Sequence, residues 1–284
     1  MISVKDHRFR IENDLFLREL LVDADGLRTV SVLNKKNGRE YEKHPDETDF
    51  LVNLNGQTIA SFNNPQVHVL DGNKVEYQKL LAFSDYQIIR EESGSEILEL
   101  CFLCPKVDAR IKLYYQIYPD LPGCIKWMKF ECLKGELHIS RLFFEILNTC
   151  PGQFVDAEFY KKQGAVLTSP FFAACGDEDI IQVHNFKLSE GMFIGNSVPG
   201  PLRYYMVYPH WKRGTSCGYS MNSGDFNKYL KANESFTTDK AYIYLYEGSK
   251  DDSSHLNGFR ELIGVRCQLV LTMAESCTAL GSHL

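Results

Sequence analysis

The densest set of ligand-competent side chains lies at Arg203-Tyr204-Tyr205-Met206-Val207-Tyr208-Pro209-His210-Trp211-Lys212-Arg213. It sets three Tyr, one Trp, one His and three cations in eleven positions. Aromatic faces stack on the C–H faces of sugar rings, and Arg, Lys and His donate hydrogen bonds to hydroxyls. Arg203, Tyr205, Tyr208, His210 and Trp211 are therefore the candidate carbohydrate-binding residues. The competing account is structural: alternate aromatics fill a β core while the cations stay in water.

Acid–base chemistry on a sugar ring needs a His and a carboxylate facing one groove. His184, after the apolar run Ile180–Val183, and His210 are the candidates in the loop-rich half. His68 and His138 sit in strand patterns as face residues. Glycosidic cleavage needs two carboxylates about 5–9.5 Å apart. With 37 acidic residues, pairs arise by chance, so no catalytic pair is assigned. Asp177-Glu178-Asp179 reads as a solvated turn, with a cation or a sugar hydroxyl as the other reading. No HxxxH or HExxH spacing occurs. The nine Cys include one CxxC, Cys101 to Cys104, inside an apolar strand-like run and without a second pair to complete a zinc site. Buried, reduced thiols are expected. No Gly-rich phosphate loop, GxSxG elbow or Cys–His arrangement is present. The expectation is no catalytic residue, no metal and no cofactor.

These groups need a scaffold, and its period is two. Ile111, Leu113, Tyr115 and Ile117 alternate with Lys112, Tyr114 and Gln116, as on a half-buried strand. Tyr242, Tyr244 and Tyr246 alternate with Ile243 and Leu245, so both faces there are covered. Trp127 is expected in the core. Asp25-Gly26, Asn37-Gly38, Asn55-Gly56 and Asp71-Gly72 supply hairpin turns. Residues 7–147 thus read as a long antiparallel meander. Shorter strands follow at Phe154–Tyr160, Gly164–Leu167, Ile180–Val183 and Tyr204–Tyr208, with a loop at Gly195–Pro201 and a polar excursion at Met221–Asn233. One helix is predicted at Ser253–Ile263. Ser253 or Ser254 would cap it, Leu256, Phe259, Leu262 and Ile263 would form its apolar face, and Gly258 would weaken it.

Charged residues make up 24% and hydrophobic residues 44% of the 284, the balance of a globular chain. A net charge of −6 argues against nucleic acid and anionic membrane as partners. No apolar run approaches membrane-spanning length. The N-terminus carries no apolar h-region, so a cytoplasmic location is expected. No linker divides the chain, so residues 1–263 are expected to form one domain and 264–284 a tail or last strand.

Several segments in order resemble a known family. They are Phe9–Glu19, Gly26–Tyr41, Asp49-Phe50-Leu51-Val52-Asn53-Leu54-Asn55-Gly56 and Tyr118-Pro119-Asp120-Leu121-Pro122. Together they resemble the N-terminal β domain of α-galactosidase-like (melibiase, family-36-type) glycoside hydrolases, most strongly over residues 8–147. The resemblance implies a mostly β fold, an antiparallel β-supersandwich similar to galactose mutarotase, with one short C-terminal helix. It also implies that catalysis belongs to two aspartates on a following (β/α)8 barrel. Such a barrel takes about 250 residues, and 21 follow Ile263. The expected role is a non-catalytic accessory domain whose partners are a catalytic barrel, a second copy in a homo-oligomer, or a galactoside-like carbohydrate. The alternatives are a mutarotase-type enzyme using His184 and His210, and a carbohydrate-binding module without chemistry.

Overall fold

The computed structural model describes residues 1–62, 69–70, 73–74, 81–161, 166–167, 180–199, 202–207, 215–219 and 226–264. The chain folds as an antiparallel β-supersandwich built on three main sheets. The first is a five-stranded meander, Ile2–Lys5, Arg8–Glu12, Phe16–Asp23, Gly26–Asn34 and Arg39–Glu40. The second, ten-stranded sheet begins with another meander, Ala82–Arg90, Glu96–Cys104, Ala109–Ile117 and Gly123–Cys132. It continues through Ala241–Glu247, Glu190–Asn196, Ile180–Asn185, Ala157–Lys161 and Val166–Leu167, with Ser235–Thr237 beside Gly123–Cys132. The third orders Arg203–Val207, Thr215–Tyr219, Glu136–Leu147, Leu51–Leu54 and Gln57–Ala60, with Lys228–Lys231 against the start of Glu136–Leu147. The pair Val69–Leu70 and Asn73–Lys74 is separate.

The expected meander over 7–147 is therefore two meanders in different sheets. Leu51–Leu54 and Gln57–Ala60 leave the first for the third sheet, where Leu51–Leu54 pairs with Glu136–Leu147. Local turn chemistry is legible in sequence, but which sheet a hairpin joins depends on distant strands. The Asn55-Gly56 hairpin has positive φ at both residues (51° and 79°), as an Asn-Gly turn between twisted strands requires. Gly26 has φ +123°, and a Cβ there would collide with the Ser61 carbonyl, to which the following Leu27 N–H donates at 2.7 Å.

Alternation decides burial. In Ala109–Ile117 the side chains of Ile111, Leu113, Tyr115 and Ile117 are sealed, while Lys112 and Tyr114 are half-buried on the other face. The main core takes residues from all three sheets, among them Phe9, Ile11, Leu54, Leu100, Ile111 and Leu142. A second apolar cluster lies on the outer face of the ten-stranded sheet. There Ile125, Phe193, Tyr242, Tyr244 and Tyr246 meet Phe259 and Leu262 of the helix Ser253–Gly264. Among the described residues this is the one α-helix. Its cap differs from the expectation: the Asp252 carboxylate accepts the Ser254 N–H at 2.8 Å, so Asp252 does what Ser253 or Ser254 was expected to do. No helix among the described residues is long and apolar enough to cross a membrane.

Candidate functional site

Three sheets converge on one closed group of charges. Arg18 comes from the first sheet, Asp49 from the approach to Leu51–Leu54, Glu145 from the third sheet and Lys126 from the second. The side chains of Arg18, Asp49 and Lys126 have no solvent exposure, and that of Glu145 has 4%. The two cations and two carboxylates balance in charge.

Hydrogen bonding in the group is nearly exhaustive. The Asp49 Oδ1 accepts from Arg18 Nη2 at 2.7 Å and from the Thr29 hydroxyl at 2.5 Å. Its Oδ2 accepts from Lys126 Nζ at 2.6 Å and from the Tyr115 hydroxyl at 2.5 Å. Glu145 takes the Arg18 fork, Nη1 and Nη2 each at 2.9 Å. Lys126 spends its three N–H groups on Asp49 Oδ2, the Asp49 carbonyl at 2.7 Å and Glu145 Oε1 at 3.2 Å. Burial alone would raise the Asp49 carboxyl, but Lys126 and Arg18 hold it well below the usual carboxylate range. Burial, then the Asp49 charge, pushes the Tyr115 phenol far up. A sealed, neutral, fully bonded group has no free valence for a substrate. It joins sheets, and the polar network specifies how they meet.

Sequence reasoning missed this group, although a signal exists. Alternation puts Arg18 on the face of Phe16 and Leu20, and Lys126 on the face of Cys124 and Met128, all of them buried. A lone charge at a core-facing strand position marks a buried partner of opposite sign. Trp127 in turn is on the outer face, half-buried, stacked on Tyr114 at 5.0 Å with Lys240 Nζ 4.9 Å from its ring. It was expected in the core, and the inward place at this point of the strand belongs to Lys126.

Two further carboxylates are buried in polar surroundings. Glu190 accepts from Arg39 Nε at 2.9 Å, the Tyr41 hydroxyl at 3.0 Å and Asn37 Nδ2 at 2.8 Å, tying the Asn37-Gly38 hairpin to the ten-stranded sheet. The Glu42 carboxyl is pushed up to about 8 by burial, although the Lys43 and His44 backbone N–H groups donate to it.

The candidate residues named from sequence are placed as follows. His184 lies inside the strand Ile180–Asn185, one register step beyond the expected end at Val183. It is 5% exposed, and its Nδ1 lies 3.1 Å from the Tyr246 hydroxyl. Arg203 and Tyr205 lie on Arg203–Val207, an edge strand of the third sheet, in register with Tyr219 and Cys217. Tyr208, His210 and Trp211 lie outside the described residues, as do Asp177-Glu178-Asp179 and the tail 265–284. Of the pair His184 and His210, only His184 belongs to the described residues. Cys101 and Cys104 both lie on Glu96–Cys104 as free thiols, Cys104 buried and Cys101 half-buried, with burial raising both. Among the described residues no group of three or more His, Cys, Asp or Glu is arranged to hold a metal ion.

No protein-family model matches the sequence, and no curated protein matches it. Solved structures do match the fold. A GH36 α-galactosidase, AgaB from Geobacillus stearothermophilus, superposes with a TM-score of 0.61 at 14% identity, over 92% of this chain and 42% of its own. The α-galactosidase from Lactobacillus brevis gives 0.61 at 12% identity, over 89% of this chain and 41% of its own. A TPR-domain containing protein from Parabacteroides distasonis gives 0.52 at 8% identity, over 87% of this chain. The chain thus shares its fold with part of each of these structures and spans about two fifths of the length of the GH36 structures.

Proposed function

We propose that this chain acts as a non-catalytic, carbohydrate-related accessory domain of an α-galactosidase-like glycoside hydrolase, the part that abuts a catalytic barrel. The observation that carries this reading is the lopsided coverage. About nine tenths of the chain matches GH36 α-galactosidases, while only about two fifths of those enzymes is matched. Fold and function are separable, so a second line of support matters. The group of acids and bases around Arg18 and Asp49 is closed to solvent and internally neutralised. The role that this reading assigns is positional: a rigid body that holds a neighbouring domain or a second copy, in a soluble and cytoplasmic setting. Contact with a galactoside would run through the edge strand carrying Arg203 and Tyr205 and the following residues Tyr208, His210 and Trp211. That segment combines stacking faces with hydroxyl donors.

The test is direct. The purified chain should release no nitrophenol from p-nitrophenyl α-galactoside above the buffer rate. Turnover that one carboxylate substitution abolishes overturns the accessory reading. Faster equilibration of fresh α-galactose in a polarimeter would point instead to a mutarotase using His184 and His210. Titration with galactosides, read by Trp fluorescence, tests the edge segment: Trp211→Ala should lose binding, and an unchanged affinity removes the site.

A further inference from the structure

The helix Ser253–Gly264 sits on the ten-stranded sheet through Phe259 and Leu262, and through one aromatic group at its first turn. There the His255 ring lies on Tyr246, with centroids 4.6 Å apart and planes 25° apart. His184 lies nearly parallel to the same ring, at 5.9 Å and 7°. One tyrosine therefore carries imidazoles from two elements, a strand and the helix. Gln182 Nε2 donates to the Tyr246 hydroxyl oxygen at 2.8 Å, which leaves the hydroxyl proton for an unprotonated Nδ1 of His184 at 3.1 Å. Among the described residues His255 Nε2 is buried without a hydrogen-bond partner, and the Asp252 carboxylate stands off at 3.9 Å. Gly248 lies against it so closely that a Cβ there would stand 3.1 Å from Nε2. An additional proton on His255 would meet a carboxylate only at 3.9 Å, and one on His184 Nδ1 would displace the hydroxyl proton of Tyr246 from that contact.

We propose that His184 and His255 form an acid-sensitive latch that releases the helix Ser253–Gly264 from the sheet when the two imidazoles take up protons. Each carboxylate facing them also holds another partner. Glu158, paired across the strands with His184, accepts the Tyr160 hydroxyl. Asp251 is bonded by Lys250 at 2.7 Å, and Asp252 caps the helix. Lys250 near His184 and Lys36 near His255 disfavour a further positive charge. Burial, the largest effect on each, holds both imidazoles below the ordinary His range against the pull of Glu158, Asp251 and Asp252. A His lowered in the docked state stabilises docking above its free value, about 6.5. That stabilisation drains away as pH falls below it, by up to about tenfold in the docking equilibrium per pH unit for each proton bound. The first turn of the helix is where this charge would appear, at the dipole end that disfavours cations.

The experiment is hydrogen exchange on the full chain from pH 7.5 to pH 5, corrected for intrinsic rates. Peptides from Ser253–Gly264 should lose protection by up to about tenfold per pH unit per proton, while Ala109–Ile117 stays protected. The double variant His184→Gln/His255→Phe keeps a flat ring on Tyr246 and should keep the helix protected at pH 5. Unchanged wild-type protection down to pH 5, or the same loss in the double variant, overturns the latch. If that variant fails to dock its helix at pH 7.5, NMR titration of the wild-type imidazoles decides. Both should titrate below the free His value together with the helix amide shifts, and titration at the free value overturns the proposal.

Discussion

Lys126 shows most plainly how much one side chain constrains. It is a fully sealed ammonium whose three N–H groups meet three acceptors, two of them on Asp49 and one on Glu145. Removing one member of such a group strands charge in a low-dielectric interior, at about 3–5 kcal/mol. Replacing a balanced pair by apolar residues of similar volume is far milder. Lys126→Met should therefore lower unfolding stability by about 3–5 kcal/mol, measured in urea. Adding Glu145→Leu should restore most of the loss, because Arg18 and Asp49 remain as a balanced pair. A double variant no more stable than the single one would contradict this account. The residue scale is also where the sequence was half legible. The alternation that names Leu113 and Tyr115 as inward-facing also turns Arg18 and Lys126 inward, but only the folded chain shows which carboxylates answer them. Those carboxylates sit 31 and 127 positions from Arg18, and no local pattern spans such separations.

The helix Ser253–Gly264 carries the lesson at the scale of an element. Its position and apolar face are readable from Leu256, Phe259, Leu262 and Ile263. Gly258 reads only as a weakness, because in a helix it costs about 1 kcal/mol relative to Ala. The structure supplies its reason. A Cβ at Gly258 would collide with the Tyr244 hydroxyl, so the glycine lets the helix lie directly on the tyrosine row. Gly191 does the same under the ring of Tyr246, its partner across the strands. Gly258→Ala should thus lower stability or helix protection where propensity alone predicts a gain of about 1 kcal/mol. Tyr244→Phe in the same chain should recover part of the loss by removing the hydroxyl. A thermal melt of the single and double variants reads this directly, and a Gly258→Ala chain more stable than the parent would refute the close-packing account.

At the scale of the whole molecule, the turns and the period of two indicate an antiparallel meander, as in a sandwich or a barrel, and the supersandwich is what the resemblance of segments such as Phe9–Glu19 and Gly26–Tyr41 implies. The partition of strands among three sheets was not legible, since Glu136–Leu147 pairs with strands on both sides drawn from residues 51–54, 215–219 and 228–231. The candidate binding residues remain a proposal resting on composition. Because all three sheets contribute to one charged group and one main core, residues 1–263 should unfold as a single unit. Far-ultraviolet circular dichroism and Trp fluorescence should then give coincident urea transitions, and Lys126→Met should shift both by the same amount. Separate midpoints would divide the chain into independently folding parts.

The same charged group has a kinetic side. Arg18 finds Glu145 across 127 residues, and Lys126 finds Asp49 across 77. Until both ends of that span are in place, each charge is better left in water than buried. A collapsed chain with the wrong sheets together must either bury an unmatched ion or stay open. The group therefore penalises premature compaction and favours the one arrangement in which all four charges close at once. Closure over such long sequence separations should slow folding and disfavour mispaired sheets, and refolding of Lys126→Met with Glu145→Leu faster than that of the parent chain would bear this out.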